Sequence, residues 1–101
     1  MHPPPEPEPH EAVEAQPWNP DQGPPPTVQT WPRTSRPALR IFIRGQWRRC
    51  PVIALHHYAD GRRAVQVDVH LDSDTSYQAR TYRWDPAAIR IVARGEPPFE
   101  P

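Results

Sequence analysis

The sequence predicts a small all-β fold of five strands, and three observations predict it. Residues 38–92 alternate apolar and polar side chains with a period of two, the signature of half-buried strands. A turn signal stands at almost every break in that alternation. The 37 residues before it hold 12 of the chain's 17 prolines, and proline neither donates to a ladder nor fits a helix interior. The expected organisation is a disordered, proline-rich acidic tail over residues 1–37, a folded module over 38–95 and a short disordered tail over 96–101.

The first strand, residues 38–44, sends Leu39, Ile41 and Ile43 to one face and Arg40, Phe42 and Arg44 to the other. Gly45-Gln46 breaks the run and reads as a tight hairpin turn. The second strand, residues 47–58, carries Pro51, which requires an edge, a bulge or a sharp bend. Asp60-Gly61 is the strongest hairpin signal in the chain. Read as a two-residue turn, it sets Ala54 opposite Val67, Val52 opposite Val69 and Cys50 opposite Leu71, all on one face.

The third strand, residues 62–71, alternates Val65, Val67, Val69 and Leu71 with Gln66, Asp68 and His70. A polar loop follows at Asp72-Ser73-Asp74-Thr75-Ser76. In the fourth strand, residues 77–84, the inner face is open between Tyr77, Ala79 and Thr81 on one side and Tyr82 and Trp84 on the other. Asp85-Pro86-Ala87-Ala88 reads as an Asp-capped single helical turn with proline at its first position. The fifth strand, residues 89–93, places Ile89 and Ile91 inward and Arg90 outward, and Gly95 ends the fold.

A module of this size buries only about 60% of the surface of its unfolded chain, and Cys50 is the single cysteine, so no disulfide supports it. A lone thiol fits a reducing compartment. No signal-peptide pattern and no membrane-length apolar run is present, so the expected location is the cytoplasm. The net charge of zero hides an asymmetry: residues 1–37 carry five acids and two arginines, while residues 38–95 carry ten arginines and five aspartates. A basic body between acidic ends makes an acidic partner a candidate. All 12 basic residues are arginine, as in coding from a GC-rich genome.

Five strands, a bent second strand, a central hairpin and a one-turn helix before the last strand resemble the SH3-like small barrels, with the Tudor and chromatin-barrel branch most similar. Trp47, Cys50 and Val52 look like the aromatic, small and β-branched pattern of that branch's second strand, and Asp85-Pro86-Ala87-Ala88 looks like its short turn before the final strand. The resemblance covers residues 38–93, about half the chain. It implies a five-stranded SH3-like barrel that binds peptides, methylated side chains or nucleic acid. The acidic loop cluster of proline-binding SH3 domains is missing.

Catalytic and metal chemistry find little support. Cys50 and His56 are separated by about 20 Å of strand, too far for an activated thiolate pair, and Cys50 reads as a small buried hydrophobe. His56, His57 and His70 have no metal-ligand spacing. Asp68 reads as one half of a surface ion pair with an arginine across a strand. No enzyme activity, cofactor or metal is expected. The candidate binding residues are Phe42, Arg40, Arg44, Trp47, Tyr58, Arg80, Tyr82, Arg83 and Trp84, because arginine beside exposed aromatics suits interfaces. The expected function is a non-enzymatic protein-interaction module, with a nucleic-acid-binding barrel restrained by its acidic tail as the alternative. No membrane partner is expected, and the oligomeric state stays open. Trp18 and Trp31 in the tail read either as anchors of recognition segments or as the means by which the tail folds back on the barrel.

Overall fold

The computed structural model describes residues 8–71 and 77–92. The expected loop at residues 72–76, the end of the last strand and the C-terminal tail lie outside the described residues. The described chain is all-β and antiparallel. Six strands are present: β1 (Thr27–Thr30), β2 (Ala38–Ile43), β3 (Gln46–His57), β4 (Arg63–Val69), β5 (Gln78–Arg83) and β6 (Ile89–Ile91). They hydrogen-bond in the order β5-β4-β3-β2-β6, with β1 also on β3.

Strand β3 is the spine. Its residues 46–51 pair with β2, and its residues 54–57 pair with β1 on one edge and β4 on the other. Val52 takes both roles, donating its N–H to Pro37 O at 2.9 Å and pairing with Val67. Pro51 sits at this hand-over, and a register shift follows between Val52 and Ala54. The irregularity that a proline in a strand demands is therefore a bulge, which bends β3 from one set of neighbours to the next.

Both hairpins differ from the expected register. The first turn is Arg44-Gly45, one residue earlier than expected, with Ile43 paired to Gln46. Both turn residues have positive φ, 52° and 75°, the type I′ geometry whose twist matches the strands. The second hairpin closes between Tyr58 and Arg62, whose N–H and carbonyl meet at 2.9 Å, around a three-residue loop ending in Gly61 at φ 90°. That is a type I turn followed by a left-handed residue. It places Leu55 opposite Val65 and Ala54 opposite Gln66, and the bulge then places Val52 opposite Val67. The expected pairs are off by one or two residues, but the apolar set is the expected one: Cys50, Val52, Ala54, Val67 and Val69 are all buried and Leu71 packs against them. The one-residue shift at the turn moves Ala54 out of the core cluster and sets Leu55 beside Val65, and the bulge then returns Val52 to the core face opposite Val67.

Leu39, Ile41 and Ile43 of β2 face the core as expected. On β5 the open choice resolves in favour of Tyr82, 5% exposed, with Trp84 half-buried against the core and Tyr77 60% exposed. Ile89 is buried, but Ile91 is 74% exposed, against expectation. It has run past the end of the core and borders an apolar hollow of about 380 Å³ together with Trp31, Leu39, Leu55 and Trp84. Before β6, Asp85 Oδ1 accepts the Ala87 N–H at 2.9 Å, and the Asp85 carbonyl accepts from Ala88 and Ile89. The turn is Asp-capped as expected, though it is a turn rather than a helix.

Pairing begins well before residue 38. Besides β1, residues 10–15 span from β5 to β2. Arg83 N–H donates to Val13 O, Ala15 N–H to Thr81 O and Ala12 N–H to Phe42 O, each at 2.9 Å, and His10 N–H donates to Ala87 O at 3.1 Å. The segment has no proline between His10 and Gln16, so an extended run of donors and acceptors survives there. Trp18 stays local, donating its indole N–H to Gly23 O across a 3-10 turn capped by Asn19, while Trp31 packs against the core.

Candidate binding surface

Because β2 sends its aliphatic residues inward, Arg40 and Phe42 go outward. The ladder then sets Arg40 opposite Arg49 of β3 on one side and opposite Arg90 of β6 on the other, and sets Phe42 opposite Trp47. The outer face of β6, β2 and the first half of β3 thus carries a row of three arginines beside an aromatic pair. Arg49 and Arg90 are exposed, and Arg40, Phe42 and Trp47 are half-buried. The two rings meet edge-on, with centroids 5.3 Å apart and planes at 64°. The Arg90 guanidinium lies over the Trp47 ring at 4.3 Å. Like charges directly opposite one another in a sheet oppose folding by a fraction of a kcal/mol per pair unless other contacts offset them.

The candidate residues divide. Arg40, Phe42 and Trp47 come together on this face, with Arg44 at its end in the turn. Tyr58, Arg83 and Trp84 lie elsewhere, in a groove of about 430 Å³ that also takes in Arg62, Arg63 and residues 13–16. There Arg62 lies over Tyr58 at 5.3 Å and Arg63 over Trp84 at 4.8 Å. Arg62 is also tied to Asp60 at 2.6 Å. The Arg62 backbone N–H, first, holds the Asp60 carboxyl below its usual range. Arg80 pairs with Glu14 at 3.2 Å. Tyr82 is no surface residue: its ring fills the core against Val65, and burial, first, raises its phenol above the usual value.

Arg49 and Arg90 were not among the candidates. Arg90 was expected to face outward, but only the pairing of β6 with β2 brings it beside Arg40. Arg49 lies two residues after Trp47 and shares its face, a relation the period-two rule already contains.

The reactive groups are quiet. Cys50 is 1% exposed, and burial pushes its thiol up to about 12, with Arg48 opposing and Asp68 reinforcing that shift. Its S–H reaches the Arg48 carbonyl at 3.6 Å. Burial lowers His56 from its usual value. Asp68 does pair with an arginine, but the partner is Arg36, from the segment before β2, at 2.7 Å. Among the described residues no three His, Cys, Asp or Glu side chains gather as a metal site, and no helix is long and apolar enough to cross a membrane. No known protein family matches the chain, and neither does any curated protein or solved structure.

Proposed function

We propose that this protein is a non-enzymatic binding module whose outer β6–β2–β3 face engages an acidic protein surface. The row Arg90–Arg40–Arg49 beside the Phe42–Trp47 pair carries the proposal. Guanidinium groups bind carboxylates in a two-pronged, charge-assisted geometry, and tryptophan with arginine dominates the energetics of protein interfaces. A nucleic-acid partner is the second reading, favoured by the alignment of three guanidinium-bearing residues across adjacent strands. Against it, one side of the Trp47 ring is taken by Arg90 at 4.3 Å, which leaves less open π-surface for a base. The proposal takes the fold as a small SH3-like barrel. Its support is the central hairpin, the Asp85 turn before the last strand, and residues 10–15 bridging β5 to β2. The lone buried Cys50 fits a cytoplasmic setting.

The test is fluorescence anisotropy of a labelled decaglutamate peptide against the full chain. Arg40→Ala, Arg49→Ala and Phe42→Ala each weaken binding by about tenfold, the size of one hot-spot contact. Equal binding by all three variants and the wild type rejects the face.

A further inference from the structure

Residues 10–15 occupy the edge of β5 in an unusual way. They make four backbone hydrogen bonds, spread over β5, β2 and the Asp85 turn, with no more than two to any one of these. Two carboxylates add to them. Glu11 accepts the Arg44 and Gly45 N–H groups at 3.0 and 2.6 Å, and Glu14 takes Arg80 at 3.2 Å. The apolar contribution is small: Ala12 touches the core, while Val13 is 52% exposed. A segment held by solvent-accessible polar contacts and little buried apolar surface sits at the low end of local stability. The site beneath it is different in kind. Its strand edge consists of the N–H of Arg83 and the carbonyl of Thr81, which Val13 and Ala15 now engage, and the groove beside that edge holds Arg63 and Arg83. Neither arginine has a carboxylate partner among the described residues.

We infer that the β5 edge and its arginine groove form a strand-addition site for an extended acidic peptide, and that residues 10–15 are its resident occupant. The incoming peptide takes over the Arg83 and Thr81 backbone bonds by antiparallel pairing. Its first and fourth residues, the spacing of Glu11 and Glu14, supply carboxylates to the turn amides and to Arg80. A further acid engages Arg83 or Arg63, which the resident segment leaves without a carboxylate. Occupation in cis lowers the apparent affinity by the fraction of time the edge is free. This site is separate from the outer face proposed above and does not depend on it.

The test uses the full chain and a labelled peptide with the sequence of residues 8–17 in which Gln16, which lines the groove with Arg63 and Arg83, is replaced by Glu. Ala15→Pro removes the N–H that bonds Thr81 while keeping an extended backbone. The variant exchanges the Arg83 amide proton faster than the wild type and binds the peptide at least about tenfold tighter. Adding Arg83→Glu abolishes the gain, whereas any loss that Arg49→Ala causes through the outer face falls equally on the wild type and on Ala15→Pro, so the ratio between them stays the same. Should Ala15→Pro fail to fold, the pair Glu11→Gln and Glu14→Gln loosens the same segment with its backbone intact and produces a gain of a few-fold. The inference is overturned by unchanged Arg83 exchange, by peptide binding no tighter than wild type once the segment is loosened, or by equal binding of a scrambled peptide of the same composition.

Discussion

Arg36 donates to Asp68 at 2.7 Å, joining the segment before β2 to the end of β4 with both side chains about four-fifths buried. The Nε of Arg36 is enclosed without a hydrogen-bond partner, so the carboxylate is the main compensation for a desolvated guanidinium. Asp68→Asn therefore destabilises the fold by about 2–3 kcal/mol, between the worth of a surface pair and the loss on breaking a fully buried one. The effect changes little with added salt, because the pair is shielded from solvent ions. Urea unfolding at low and high salt measures both.

Arg44 occupies the first position of a type I′ turn at φ 52°. A left-handed conformation costs an ordinary residue roughly 1–2 kcal/mol, and asparagine tolerates it best after glycine. Arg44→Asn creates the Asn-Gly pair that this turn favours and raises stability by up to about 1 kcal/mol. Thermal unfolding detects it as a higher midpoint.

Ile89 and Ile91 lie two residues apart on the same short strand, yet one is 4% and the other 74% exposed. Ile89→Ala costs about 2–4 kcal/mol through lost burial and a cavity, whereas Ile91→Ala stays within about 0.5 kcal/mol. Denaturant midpoints for the two variants separate them directly.

These contrasts mark what the chain makes legible. The strands from Ala38 to Val69 could be read because each alternates around a single core, so Leu39, Ile41, Val67 and Val69 announce their own direction. Ile91 could not be read, since alternation gives the face of a strand but not where the core stops. The register of the Asp60-Gly61 hairpin was missed because two- and three-residue loops share that dipeptide and bury the same valines. The pairing of residues 10–15 and 27–30 was hidden by surrounding prolines, which dilute the local pattern while leaving individual backbone donors available. At the binding face, Arg40, Phe42 and Trp47 followed from alternation, but Arg90 came from a distant pairing that no local rule supplies.

Cys50 sets an alkaline limit. Its thiol moves from 9.0 in the open chain to about 12 in the fold, chiefly through burial. Between those values the unfolded chain has released a proton that the folded chain keeps. Stability is therefore full below the lower value and falls as pH rises, by at most about 1.4 kcal/mol per pH unit from this group. Tyr82, raised in the same direction, adds to the decline above its usual 10.0. Cys50→Ala lowers overall stability but flattens the decline, which urea midpoints from about pH 8 to about pH 11 follow.

The central claim is that the Arg90–Arg40–Arg49 row with Phe42 and Trp47 binds carboxylate-rich protein. The most direct measurement is competition on the full chain: a labelled decaglutamate peptide displaced by unlabelled decaglutamate or by single-stranded DNA of equal charge, at near-physiological salt. The account predicts that decaglutamate displaces the probe at a concentration at least about tenfold lower than DNA, and that Arg40→Ala and Phe42→Ala both remove this preference. DNA displacing the probe as well as or better than the peptide, with a steep salt dependence, contradicts it and makes the face a nucleic-acid site.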